Sequence, residues 1–255
     1  MVDRHWRVFR EEVDRWQEAG RDVEFWWRDD DACRPDPALS RLCSLSAASG
    51  VPLALAAIPA VAEEEAFDGM PSGVSVIQHG ADHRNRASAA QKKTEFPVEE
   101  PLDAAIERLV AGRARLQSAA GDRVLAVLAP PWNRIHAALA CRLANAGYVG
   151  LSAYGARKCA STGGGVVRVN THVDIIDWKG TRGFVGVESA LGQATRHLAA
   201  RRTGAADAGE PTGWLTHHAV HDEAAWIFLA ALFDVTQKIS GIRWRSPQEI
   251  FGARE

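Results

Sequence analysis

The chain has 255 residues, 46% of them apolar, with 30 basic and 32 acidic residues and a formal net charge of -2. That balance gives no general attraction to nucleic acid or to an anionic membrane, and the apolar share is enough for the core of one α/β domain spanning residues 1–255. No stretch reaches the roughly 18 apolar residues of a membrane span, and residues 1–17 lack the apolar centre of a signal peptide, so the expected location is cytoplasmic.

Trp6, Phe9, Val13 and Trp16 recur at helical spacing and predict an amphipathic helix over residues 3–19, stopped at Gly20. Residues 23–27 are too short and bulky for a helix and read as a buried strand that delivers Arg28, Asp29, Asp30 and Asp31 at its C-terminal end. A helix beginning near Pro37 and ending at Gly50 leads to a second strand over 53–58, and a third strand, 74–78, runs into His79 and His83. A polar loop extends to Pro97, followed by a helix over 102–116 and a fourth strand, 124–128, which ends in Ala129-Pro130-Pro131-Trp132-Asn133. Beyond it lie a helix over 135–146, strands at 148–152 and 166–169, Asp174 to Trp178, and a helix over about 188–202. The last units are a strand at 214–216 before His217 and His218, a helix over 223–239 and a strand at 242–244.

Strands alternating with helices indicate parallel βα units, and seven or eight of them fit a closed or nearly closed barrel better than an open doubly wound sheet. No Gly-x-Gly-x-x-Gly or Walker-type loop is present, so nucleotide binding has no support. Cys33, Cys43, Cys141 and Cys159 form no Cys-x-x-Cys pair and read as free thiols.

In a barrel the reactive groups come from the C-terminal ends of strands. The Asp run, the His79/His83 pair, the Pro-Pro-Trp segment and the His217/His218 pair each follow a strand directly, which brings four polar clusters to one mouth. Three adjacent carboxylates there repel one another unless a cation offsets them. Read alone, they are a solvated acidic turn. Together with the histidines, one Asp oxygen and two imidazole nitrogens make a three-ligand set for zinc, with a fourth position open to a water whose pKa falls toward about 7.

These residues resemble the polysaccharide deacetylase superfamily, the NodB-like group also called carbohydrate esterase family four. Its Asp-Asp motif is similar to Asp30-Asp31, which implies Asp30 as general base and Asp31 as metal ligand. The run of three also permits Asp29 as base and Asp30 as ligand. Its His-(Ser/Thr)-x-x-His motif resembles His79 to His83, giving two histidine ligands. Its Asp-x-x-Asp-Trp motif is matched by Asp174 to Trp178, with Asp174 as the group that orients the acidic histidine. Its Leu-x-x-His motif resembles Trp214 to His218, which leaves His217 or His218 as general acid. The resemblance implies a distorted (β/α)7 barrel, a divalent metal (Zn2+), and a hydrolase that cleaves the acetamide of an N-acetylated sugar or oligosaccharide.

Pro131, Trp132, Asn133, Trp178 and Trp214 are the expected substrate-binding residues. The alternatives are a metal-dependent amidase acting on a small non-sugar substrate, or a catalytically weak barrel that only binds a glycan. Three features depart from the family pattern, the doubled histidine and two substituted positions. Ala129 stands where an arginine orients the base, a role open to Asn133, Arg134 or Arg28, and Gly80 replaces a hydroxyl residue.

Overall fold

The apolar runs and the 3.6-residue patterns assemble as a distorted (β/α)7 barrel, the expected fold class. The computed structural model describes residues 2–252. In chain order the elements are α1 (Val2–Glu18), β1 (Val23–Ala32), α2 (Pro37–Ser49), β2 (Leu53–Ala57), β3 (Val74–His79), α3 (Leu102–Ala120) and β4 (Val124–Ala129). There follow α4 (Ala137–Arg142), β5 (Gly150–Leu151), β6 (Val167–Arg168), β7 (Val173–Asp174), α5 (Val187–Thr203), β8 (Thr212–Thr216), α6 (Glu223–Gln237), β9 (Ile242–Trp244) and α7 (Pro247–Phe251).

The strands form one parallel sheet in the order β6-β5-β4-β3-β2-β1-β8-β7, and β9 pairs with the start of β1. Its two edges are linked by a single stretch of chain. Residues 167–171 hydrogen-bond toward β5, where Val169 N–H donates to the Leu151 carbonyl (3.1 Å), and His172 N–H then donates to Gly213 of β8 (2.7 Å). Taken as one staggered strand, β6 and β7 complete seven strands around the barrel, with β9 outside that count.

Period-two alternation along β1 divides its side chains between two environments. Phe25 and Trp27 face the helices, in a core with Phe9 and Trp16 of α1, Leu198 of α5, Phe228 and Phe233 of α6, and Trp214. Trp26 faces the barrel interior with Ala54, Ala56, Ile77, Val127 and Ala129. Small residues from the neighbouring strands leave room there for one indole. Phe251 of α7 packs edge-on to Trp26 at 5.8 Å, and so close to Gly150 that a Cβ there would lie 2.5 Å from its ring.

Several boundaries differ from those expected. β1 continues through the Asp run to Ala32, because Asp29 and Asp30 are buried and paired instead of solvated. The helix expected over 135–146 is shorter, α4 followed by a 3-10 turn at Ala144–Ala146, with Gly147 in the left-handed conformation. The short α7 was not anticipated, although Ser246 and Glu249 form a reciprocal capping box at its start.

Candidate active site and metal centre

Alternation also separates the three aspartates. Asp29 falls on the helix-facing side of β1 and Asp30 on the interior side with Arg28, while the pairing register slips between Asp29 and Ala32 and Asp31 adopts φ 74. Such a bulge re-aims a side chain, and here it turns Asp31 toward the end of β3. Asp31 Oδ1 lies 3.2 Å from His79 Nε2 and 3.3 Å from His83 Nε2. His79 Nδ1–H donates to the Ala129 carbonyl (3.0 Å), which leaves the Nε2 lone pair aimed at Asp31.

Asp31 Oδ1 is buried and has no hydrogen-bond partner. One carboxylate oxygen and two imidazole nitrogens thus converge on a point where a cation is the missing partner, so the residues fit a divalent metal. Burial alone would raise the Asp31 pKa, but the neighbouring imidazoles, His79 first and then His217 and His83, hold it below the usual carboxylate range.

The His loop is built around a residue that sequence reasoning missed. Glu95, fully buried, accepts N–H bonds from Ala81 (2.8 Å), Asp82 (3.2 Å) and His83 (3.2 Å), and so fixes the backbone that carries His83. Nothing in the polar loop around it signals this. It does explain Gly80, whose φ is +63: a Cβ there would lie 2.0 Å from Glu95 Oε2 and 2.6 Å from Pro131 Cγ. Pro131 is therefore buried against the loop, a packing role in place of the expected substrate contact. Arg86 holds Asp82 through both carboxylate oxygens (2.8 and 2.6 Å), and Asn85 accepts N–H bonds from Ala87 and Thr94.

Beside this centre, Arg28 is fully buried and grips Asp30. Its NH2 donates to Asp30 Oδ2 (3.0 Å) and Asn133 Oδ1 (2.7 Å), its NH1 to the Ser152 carbonyl (2.9 Å) and Oγ (2.7 Å), and its Nε lies 2.9 Å from Asp30 Oδ1. Of the three candidates to replace the arginine absent at Ala129, Arg28 makes the contact and Asn133 braces it. Arg134 points elsewhere, to the Lys93 carbonyl. Trp132 and Asn133 both have positive φ, 54 and 56, and this tight turn sets Trp132 against the His83 ring at 4.6 Å.

The doubled histidine divides like the aspartates. His217 faces the site, with Nε2 3.9 Å from Asp30 Oδ2 and its ring edge-on to the half-exposed Trp178 at 4.7 Å. His218 lies behind the sheet. Its backbone N–H donates to Asp29 Oδ2 (3.0 Å), its Nδ1 binds Asp29 Oδ1, and Thr216 Oγ1 donates to the same carboxylate (2.6 Å). Asp29 and His218 thus form a buried pair outside the cleft, which corrects the expectation that His218 could be the acid.

Two further expectations need correction. Asp174 does not hydrogen-bond His217: its oxygens accept from Trp178 Nε1–H (2.8 Å) and Ile176 N–H (3.0 Å), and His217 Nδ1 has no partner. Asp174 instead steadies the Trp178 indole that packs edge-on to the His217 ring. Trp214 is fully buried between Phe25 and Phe228, because its strand position faces the helices, so it cannot wall a substrate site.

A second cluster, His172, His197 and Glu210, lies on the opposite face of the barrel, near the start of β8. The two imidazole rings stack at 3.5 Å with planes 15° apart. One ion cannot lie in the plane of both rings, so this arrangement reads as a packed neutral pair in place of a metal centre.

No family model matches the sequence, and no curated protein sequence matches it significantly. The fold does match solved structures. The T48 deacetylase with substrate aligns with a TM-score of 0.54 at 16% identity, covering 93% of this chain and 94% of that one. The Bc1960 peptidoglycan N-acetylglucosamine deacetylase aligns at 0.53 and 14%, covering 94% and 96%. A family 4 acetyl xylan esterase from Clostridium thermocellum, in complex with a cobalt ion, aligns at 0.50 and 14%, covering 89% and 90%. At these identities the likeness is one of fold, the barrel of carbohydrate esterase family 4 deacetylases.

Proposed function

We propose that the protein is a zinc-dependent hydrolase that removes the acetyl group from the amide of an N-acetylated sugar or oligosaccharide. The observation that carries this reading is the convergence of Asp31, His79 and His83 beside a carboxylate, Asp30, gripped by a buried guanidinium. Deacetylases of the same fold support the substrate class.

In this reading Asp31, His79 and His83 hold the metal, which when bound acts as a Lewis acid on the amide carbonyl and lowers the pKa of water. Asp30 accepts a proton from the attacking water, whose oxygen bonds to the carbonyl carbon. Its Oδ1 has no aligned hydrogen bond and so keeps capacity to accept that proton. His217 gives a proton to the nitrogen as the C–N bond breaks, and acetate and a free amine leave. The 3.9 Å between Asp30 and His217 lets base and acid address one reacting group. Trp132 and Trp178 flank the centre as walls on which a sugar ring can stack. Arg28 supplies the restraint that Ala129 cannot, which favours an active base over a weak glycan-binding barrel.

The test is metal analysis and acetate release from an acetylated chitooligosaccharide. Asp31→Asn should lose both metal and turnover, whereas Asp30→Asn should keep the metal and lose turnover. Full activity in a metal-stripped protein would end the reading.

A further inference from the structure

A groove of about 570 Å³ opens beside the candidate base, with Asn133 and Ala153 in its wall. Both touch Arg28: Asn133 Oδ1 accepts from its NH2 at 2.7 Å, and the Ala153 carbonyl lies 3.4 Å from its NH1. The groove therefore begins one residue from Asp30. Five of its lining residues are cationic, Lys92, Arg134, Arg157, Lys158 and Arg168, and none is Asp or Glu.

That one-sided charge contrasts with the chain's formal net charge of -2 and with surface cations that sit against carboxylates, such as Arg41 with Glu223, Arg202 with Glu12 and Lys238 with Asp234. Of the five, Arg157 is engaged by Asp207 at 2.8 Å. Lys92, Arg134, Lys158 and Arg168 have no carboxylate partner among the described residues, and the Nε of Arg168 is buried without a hydrogen bond. Unpaired cations drawn together around a cavity repel one another, an arrangement that an oxyanion relieves. Phe96, Ile135 and Leu151 give the same groove an apolar side.

We propose that this groove receives an anionic group, a phosphate or a carboxylate, carried by the same N-acylated substrate whose amide lies over Asp30. The inference rests on the deacetylase reading for its substrate. Guanidinium and ammonium groups recognise both kinds of oxyanion, and the probes below separate them.

The experiment compares N-acetylglucosamine, N-acetylglucosamine 1-phosphate and N-acetylmuramate, the last carrying a carboxylate, by calorimetric binding and by acetate release. The proteins are the wild type, the triple variant Lys92→Gln/Lys158→Gln/Arg168→Gln, and the remote control Lys238→Gln. With three charge-assisted contacts, the wild type and the control should bind the charged sugars at least about tenfold more tightly than the neutral one, a gap that narrows as salt rises from about 0.02 to about 0.5 M. In the triple variant the gap should close to within about twofold. Greater preference for the phosphate or for the carboxylate identifies the group accepted.

Equal binding of neutral and charged sugars overturns the proposal. So does a preference that survives in the triple variant, since the anion would then be held at the metal. Charge-selective binding without acetate release would keep the groove and remove the deacetylase reading. Acetate release without charge preference would do the reverse.

Discussion

Replacing Arg28 separates its charge from its geometry. The guanidinium spans Asp30 and Asn133 through one nitrogen and Ser152 through the other, at 2.7 to 3.0 Å, inside a fully buried site. Lysine keeps the charge but has a single nitrogen, which cannot reach Asp30 and Ser152 together. Losing two such bonds at about 1 to 1.5 kcal/mol each gives a destabilisation of about 2 to 3 kcal/mol for Arg28→Lys. Methionine leaves Asp30 buried with no cation, a loss of about 3 to 5 kcal/mol. Urea denaturation should therefore rank wild type above Arg28→Lys above Arg28→Met.

Acetate release should fall at least about a hundredfold in both variants, because Asp30, the proposed base, is no longer held in line. Metal content should be retained, since the hydrogen bonds of Arg28 go to Asp30, Asn133, Ser152 and the Ala153 carbonyl and not to Asp31, His79 or His83. An Arg28→Met protein as stable as the wild type, or an Arg28→Lys protein with unchanged kcat/KM, would refute the reasoning.

Three further substitutions test the same geometry. His217→Ala should lower turnover by about a hundredfold or more with little change in Tm, whereas His218→Ala should lose about 3 to 5 kcal/mol in urea by stranding the buried Asp29; the reverse pattern would exchange their roles. Gly80→Ser, which introduces the hydroxyl residue of the motif that His79 to His83 resembles, should lower both Tm and metal affinity, because its Cβ meets Glu95 and the backbone has φ +63; an unchanged Tm would show that Glu95 yields. Burial lowers the pKa of His172 and, with the charges of His172 and Arg201, takes that of His197 down to about 2. Folded values below the unfolded value of about 6.5 mean that the unfolded chain takes up protons first, so stability is full above that pH and declines below it, by about 2 kcal/mol at pH 5 for His197, with a further loss of the same sign from His172. Melts of wild type and His197→Gln at pH 7.5 and 5 should show the flatter dependence in the variant.

The helices and most strands were legible because their signals are local: an apolar stripe on α1, a short apolar run for β2, and glycines past the ends of α2 and α4. What depended on a distant partner was not. The apolar run of β1 ends before its aspartates, and the strand continues through them because Arg28, Thr216 and His218 make the carboxylates tolerable inside it. Glu95 carried no signal at all, because its three bonds go to backbone groups of another loop segment.

Arg28 is the instructive case, since alternation along β1 separates it from Asn133 and Arg134, the other two candidates. Residues two apart on a strand share a face, so Arg28 and Asp30 had to lie side by side in the interior, whereas Arg134 belonged to a different turn. The same parity puts Trp214 beside Thr216 on the helix-facing side and Asp29 opposite Asp30. Ala129 and Gly80 look like losses when motifs are compared one at a time. A buried carboxylate must be balanced from somewhere, however, and a loop needs some anchor. Arg28, two residues before Asp30, meets the first need and Glu95, beneath Gly80, meets the second, so each departure is coupled to a compensating residue elsewhere in the chain.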